Sequence, residues 1–306
     1  MVESTIPVVD LAALRGGGQA EAQALCEGLE RYGFVALANH GLDPQMLAEA
    51  YEVSARLFAL PVEVKKQYED PATGRQRGYT SFGVEHAKDQ AAPDLKEFWH
   101  VGRELGAEHD LTVRGLVPRN LFPKEVPEFE RVMLRHFGHM EAIALDVLDV
   151  LGGWFGKGRA YFREMVQDGN SVLRIINYPD MGAQVPVGAV RAAAHEDINL
   201  LTLLPASTRP GLEILTREGA WLPVYTPPDV IILDTGDMMA RVTANKLPAV
   251  THRVVNPEGS DGGRMSIPFF MHPHSDHVLT PWVEGFAAPI RTDDFLKQRL
   301  REIGVG

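Results

Sequence analysis

The chain has 306 residues, 45% hydrophobic and 23% charged, enough for one large domain or two small ones and typical of an ordinary soluble protein. Its net charge of −11 argues against a broad nucleic-acid surface, although one basic pocket fits within an acidic shell. A single cysteine, Cys26, excludes an intramolecular disulfide and a Cys-rich zinc site; within a helical pattern it reads as a buried small apolar residue. No apolar run approaches bilayer length, and residues 1–10 lack a signal-peptide layout, so the expectation is a cytoplasmic protein that binds neither membrane nor nucleic acid. The oligomeric state is not legible.

Residues 6–10 alternate as a strand ending on an acidic residue. Residues 19–32 predict a helix with Ala22, Leu25, Cys26 and Leu29 on one face, stopped by Gly33. A strand over 34–38 and a turn at Asn39-His40-Gly41 follow. Residues 44–60 form a second amphipathic helix, ended by Pro61. The polar stretch 74–94, with Gly74, Gly78, Gly83 and Pro93, reads as a mobile loop. Residues 128–151 predict a long helix, increasingly apolar towards its end and closed by Gly152-Gly153. After Asn170 the texture changes. Short apolar runs at 171–178, 200–204, 212–215, 230–233, 252–255 and 264–271 alternate with Gly and Pro, as in a β-sandwich or barrel. Thr292 caps a final helix over 292–301. The fold class is α+β, a sheet core flanked by helices.

Ala194-His195-Glu196-Asp197 leads into the run at 200–204. In extended chain, residues two apart share a face, so His195 and Asp197 aim at one point while Glu196 points away. His252 follows 57 residues later at the start of another strand and completes a two-His, one-carboxylate set. Such a facial triad leaves adjacent positions open, the geometry of non-haem iron(II) oxygenases, although zinc, manganese or cobalt also suits these donors. A lone His-x-Asp carries little weight. The downstream pattern adds to it: Arg264 and Ser266 share one face of the run at 264–271, and a guanidinium fork with a neighbouring hydroxyl grips a carboxylate. In the same pocket they would hold the far end of a dicarboxylic acid whose near end chelates the metal.

Taken together, His195-Glu196-Asp197, Leu201-Thr202-Leu203-Leu204, Thr251-His252-Arg253-Val254 and Arg264-Met265-Ser266-Ile267-Pro268-Phe269-Phe270 resemble the isopenicillin N synthase-like iron(II)/2-oxoglutarate oxygenases, in particular bacterial members. Arg174-Ile175-Ile176-Asn177-Tyr178-Pro179, Ile6-Pro7-Val8-Val9-Asp10, Gly33-Phe34, Asn39-His40-Gly41 and Pro93-Asp94-Leu95-Lys96-Glu97 extend the resemblance over nearly the whole chain. It implies a distorted double-stranded β-helix core (jelly-roll, cupin-like). An N-terminal α/β region, 1–120, would pack on a catalytic core, 121–306, as one compact unit. It also implies iron(II), oxygen and 2-oxoglutarate, with Tyr178 adding a hydroxyl to the co-substrate's far carboxylate. Breakdown of 2-oxoglutarate to succinate and carbon dioxide would then drive oxidation, foremost hydroxylation, of a small organic substrate. No catalytic residue is expected beyond the metal centre. Two alternatives stay open: an oxidase of the same branch that uses no 2-oxoglutarate and holds its substrate's carboxylate on Arg264 and Ser266, and a binding protein without turnover.

Glu196 stands where many relatives have threonine, and Asp234-Thr235-Gly236-Asp237, with aspartate where relatives often have asparagine, reads as a turn bent at Gly236. His272, His274 and His277 read as a loop rather than a second metal site, with His272 able to face the pocket. His136 and His139 share a helix face without a carboxylate partner. The Gly-rich run 152–158 lacks a nucleotide-binding pattern. Phe98-Trp99-His100 and Gly78-Tyr79 lie where the family builds its substrate mouth, or serve as plain packing.

Overall fold

Strands of period two divide their side chains between two faces, and here one face meets helices while the other encloses a cavity. The computed structural model describes residues 6–84, 95–180, 191–224, 227–255 and 262–302. Its large sheet runs in the order Val8–Asp10, Phe34–Ala38, Ile231–Thr235, Leu201–Pro205, Phe269–Met271, Val172–Tyr178, Glu97–Gly102, Gly78–Thr80, with Arg264–Ser266 also paired to Val172–Tyr178. A smaller sheet of Ala192–His195, His252–Val254, Leu212–Leu215 and Trp221–Pro223 lies across the cavity. The two form the expected double-stranded β-helix, flanked by helices.

Alternation along Val172–Tyr178 sets the layers. Leu173 and Ile175 are fully buried in the core beside Leu201, Leu203 and Phe269, whereas Arg174, Ile176 and Tyr178 line the cavity with Thr202, Leu204 and Phe270. The helix Phe129–Trp154 supplies the other half of this core through Met133, Phe137, Met140, Ala144 and Leu148, spaced three and four apart. Its Phe137 meets Phe269 edge-on at 5.0 Å between ring centroids.

The N-terminal elements complete the sheet at both edges. Phe34–Ala38 pairs with Ile231–Thr235, and Glu97–Gly102 pairs with Val172–Tyr178. The helix Gln19–Tyr32 ends as expected at Gly33, whose φ of 65° suits glycine and whose N–H bonds to Leu29 O. A Cβ there would collide with the Val250 side chain. Among the described residues no helix is long and apolar enough to cross a membrane.

Several local expectations change. Gly152 and Gly153 do not close the long helix but lie inside it, because the backbone carbonyl of Gly158 folds back onto the place where a Gly152 Cβ would stand. The run 264–271 is two strands, not one. Pro268 lacks the N–H to continue the ladder; Arg264–Ser266 and Phe269–Met271 pair with Val172–Tyr178 in one register on either side of it, and the second also pairs with Leu201–Pro205. The stretch 74–94 is not all loop: Gly78–Thr80 pairs with Glu97–Gly102, while residues 85–94 lie outside the described residues. Asp234 and Thr235 end a strand rather than form a turn, and Gly236 caps the short helix Asp237–Val242. Thr292 is the first residue of its helix, Thr292–Glu302, and its hydroxyl donates to His277 O.

Candidate metal centre and co-substrate cavity

His195 ends the strand Ala192–His195 and faces His252, which opens His252–Val254, in direct antiparallel register. Their rings lie 4.4 Å apart between centroids. Each Nδ1 meets a carbonyl two residues back, Ala193 O at 2.7 Å and Val250 O at 3.2 Å. A carbonyl only accepts, so Nδ1 carries the proton and the Nε2 lone pair is left for another partner. Both Nε2 atoms lie 3.8 Å from Oδ1 of Asp197. The three donor atoms fall within 4.8 Å of one another, the one such group among the described residues that could hold a metal ion. Asp197 itself lies beyond the strand end, before Leu201–Pro205.

A chain of hydrogen bonds fixes that carboxylate. Asn199 Nδ2 donates to Leu201 O and to Thr202 Oγ1, and the Thr202 hydroxyl donates to Asp197 Oδ2. Oδ1 is thereby turned to the histidines. Burial, and next the neighbouring His252, push the His195 imidazolium down to about 4, so at neutral pH the ring is the neutral ligand a metal needs. Asp234, 4% exposed, stands behind this group; burial and then the Asp197 charge hold its carboxyl well above the usual range. Phe34 packs edge-on against His252 at 5.7 Å. Glu196, as its alternation suggested, turns to Thr251, whose hydroxyl donates to Oε1 at 2.8 Å.

The other end of the cavity is cationic. Arg264 stands opposite Tyr178, and Ser266 opposite Ile176. Arg264 is 2% exposed; its Nε donates to Arg209 O at 3.0 Å and one terminal nitrogen to Ser266 Oγ at 3.1 Å. The guanidinium lies 5.3 Å from the centre of the Tyr178 ring. A buried guanidinium with five N–H groups calls for an anion. A second buried arginine, Arg191, bonds Gly262 O through one terminal nitrogen, and the other has no hydrogen-bond partner among the described residues. The cavity, about 370 Å³, is lined by His195, Asp197, His252, Arg264, Ser266 and Tyr178 alike.

Two family models match the chain. Residues 6–125 match one described as the N-terminal part of the non-haem dioxygenase in morphine synthesis, and residues 169–273 match the 2OG-Fe(II) oxygenase superfamily. A crystal structure of a protein from Caulobacter crescentus placed in the 2OG-Fe(II) oxygenase family superposes with a TM-score of 0.86 at 38% identity, over 98% of this chain and 99% of that one. The chain belongs to the 2OG-Fe(II) oxygenase superfamily. A 2-oxoglutarate-Fe(II) type oxidoreductase of Emericella nidulans is 29% identical over 91% of this chain and 82% of its own. A full-length Neurospora crassa protein, solved in complex with alpha-KG, superposes with a TM-score of 0.85 at 26% identity over 98% of both chains. This oxygenase is therefore a 2-oxoglutarate-dependent non-haem iron(II) dioxygenase. Its cofactors are iron(II), 2-oxoglutarate and oxygen, and it oxidises a small organic molecule with release of succinate and carbon dioxide.

All six residues singled out from the sequence of the oxygenase thus meet in one cavity. His272 also lines it: its Nδ1 meets Phe270 O at 3.3 Å, and burial pushes its imidazolium down to about 4. His274 instead accepts from Asp276 N. Sequence reasoning gave no role to Thr202 and Asn199, or to Gln76, Asn170 and Arg174, all of which line the cavity. Thr202 had a signal, a polar residue on the inward beat of an otherwise apolar strand. Trp99 packs away from the cavity, fully buried, while its neighbour His100 lines it.

Proposed function

We propose that His195, Asp197 and His252 hold the iron through Nε2, Oδ1 and Nε2, and that Arg264, Ser266 and Tyr178 seat the far carboxylate of 2-oxoglutarate. The observation that carries this reading is the orientation of the donors. Both histidine Nδ1 atoms are turned to carbonyls and Asp197 Oδ2 is turned to Thr202, so the remaining donor atoms converge on one point beside the cavity. Two neutral imidazoles and one carboxylate suit iron(II) and leave positions for a chelating keto acid. The bound iron supplies the oxygen chemistry. The protein fixes the ligand tautomers, orients the carboxylate and lines the reacting space with apolar side chains. Ser266 Oγ already accepts from Arg264, so its own proton points to a further acceptor, as a carboxylate would be. The reaction we assign is hydroxylation. The test is anaerobic titration of the iron(II) protein with 2-oxoglutarate, following the weak metal-to-ligand absorption band of a chelated keto acid, together with succinate release under oxygen. A band that saturates in the wild type and is lost in Asp197→Ala is the expected result; a band that survives in that variant removes Asp197 from the ligand set.

A further inference from the structure

Building on this seating of iron and 2-oxoglutarate, we infer that the substrate is a small organic acid with an apolar body, and that Arg174 receives its carboxylate. The sheet register places Arg174 apart from the co-substrate seat. On Val172–Tyr178, Tyr178 pairs with Arg264 and Ile176 with Ser266, whereas Arg174 pairs with His100 and its backbone N–H bonds Pro268 O. Four residues of extended chain put Arg174 about 13 Å from Tyr178. The two cations therefore serve different anions. Across the sheet, Phe269–Met271 separates the strand of Arg174 from that of Thr202, which holds Asp197. Two strand spacings are about 10 Å, a distance that a small substrate bridges between its anchored end and the carbon to be oxidised.

Arg174 is built into its seat. Its Nε donates to His100 Nε2 at 2.7 Å, and His100 Nδ1 lies 2.9 Å from Arg75 O. The carbonyl compels Nδ1 to carry the proton and the guanidinium N–H compels Nε2 to accept, so His100 presents the neutral tautomer to Arg174. The guanidinium carbon lies 4.5 Å from the Phe98 ring centre and 5.4 Å from that of Phe270. A fork held this way loses little freedom when a carboxylate docks. Beside it, Arg77 donates to Asn170 Oδ1 at 2.7 Å, and Asn170 Nδ2 donates to Gln76 Oε1 at 2.5 Å, which leaves the Gln76 amide nitrogen as a donor on the cavity wall. Among the described lining residues, the acids are Glu196, Asp197, Asp234 and Glu302, which come from the metal loop, the strand behind it and the last helix rather than the wall around Arg174. Val172, Ile176, Pro268 and Phe270 supply apolar walls. A fixed guanidinium among such walls, with the buried Lys96 as the further cation lining the cavity just before the strand of His100, matches a carboxylate on an apolar body. Arg174, His100 and Lys96 have further interaction partners, so an arriving carboxylate exchanges with partners rather than meeting a bare cation.

The test uses matched probes: phenylacetate, hydrocinnamate and octanoate, each beside its own primary amide. Each is titrated into anaerobic protein loaded with iron(II) and 2-oxoglutarate, reading the perturbation of the metal-to-ligand band, and in parallel by thermal shift. At least one acid is expected to bind about tenfold or more tighter than its amide. Arg174→Gln should erase that preference and leave iron content and the 2-oxoglutarate midpoint unchanged. Arg174→Lys, which keeps the charge, should restore part of it. If no acid binds better than its amide in the wild type, the proposal is overturned, whether or not the variants fold. It is equally overturned if Arg174→Gln weakens 2-oxoglutarate as much as loss of Arg264 does, since Arg174 would then belong to the co-substrate. Absence of the band from the wild type instead overturns the seat assigned to 2-oxoglutarate, and the acid–amide comparison by thermal shift still decides Arg174.

Discussion

His252 stands directly across from His195 on an adjacent antiparallel strand, and each ring is turned by a hydrogen bond to a carbonyl two residues earlier in its own chain. One register thus sets both the spacing and the tautomer of the pair. Shifting it by a residue would carry one ring to the opposite face of the sheet. Orientation of the third donor comes from a different source, the side chain of Thr202 on the large sheet. The metal centre therefore depends on the two sheets being held at a fixed separation.

Thr202→Val tests that dependence. The variant keeps the shape of the side chain and removes the hydroxyl that orients Asp197. Iron(II) affinity should fall about 10–100-fold, as for other partners of metal ligands, while the thermal midpoint of the metal-free protein stays close to wild type. Asp197→Ala should abolish iron binding altogether, read as metal content after desalting. Unchanged affinity in Thr202→Val would mean that Asp197 needs no such support.

Arg264→Ala should weaken 2-oxoglutarate by about 2–5 kcal/mol, because a buried carboxylate loses its charged partner. Arg264→Lys should recover only part of this, since a point charge does not reproduce a two-pronged grip. Iron content should match wild type in both. The midpoint of the anaerobic 2-oxoglutarate titration decides; an unmoved midpoint in Arg264→Ala would place the anchor elsewhere.

Glu97, on a strand whose other face lines the cavity, accepts from Lys65 Nζ at 2.7 Å, Tyr79 Oη at 2.5 Å and Asn177 Nδ2 at 2.8 Å. Glu97→Gln would leave the Lys65 charge buried without its counter-charge, at an expected loss of about 3–5 kcal/mol of stability. The double variant Glu97→Gln, Lys65→Met should recover much of it. Urea unfolding of the three proteins measures both effects, and a single variant as stable as wild type would contradict the account.

His136 lies in the core of the long helix, and neither ring nitrogen has a hydrogen-bond partner among the described residues. Burial, and then the charges of His139 and Arg135, hold its imidazolium down to about 4. A folded pKa below the unfolded value of roughly 6.5 means the unfolded chain takes up the proton first, so stability rises with pH and is lost as pH falls from roughly 6.5 towards 4. The full effect is on the order of 3 kcal/mol. His136→Leu should flatten the fall in unfolding free energy between about pH 6.5 and 4.5 by a large part of that amount. An equally steep fall in the variant would assign the acid sensitivity to other groups.

Local signals were legible where a single residue decides the outcome. Gly33 ends its helix because its left-handed backbone admits glycine, and this is visible without a structure. The break at Pro268 carried an equally local signal, a missing N–H, that a continuous apolar run masked. Gly152 misled because its role is to admit the Gly158 carbonyl, which no helix-stop rule contains. At the site, His195, Asp197 and His252 could be picked out by residue type and spacing, but the partners that hold them could not. Thr202 looks like one polar residue in an apolar strand, and Arg174 like one charge in another. Both take their meaning from cross-strand neighbours many residues away, Asp234 and His100 among them. Asp234 itself changes character for the same reason, since it is the loss of water and then the nearness of Asp197, not its own sequence neighbours, that raise its pKa.

Along Val172–Tyr178 the side chains that hold the fold and those that face the cavity alternate one by one. Leu173 and Ile175 answer to the helix behind them; Arg174 and Ile176 answer to whatever occupies the space in front. Mutation can therefore revise the inward set without disturbing the outward one. The same scaffold can try new substrates at single codons while its stability stays in the keeping of their neighbours, so drift in specificity should run ahead of drift in the core across descendants of this chain.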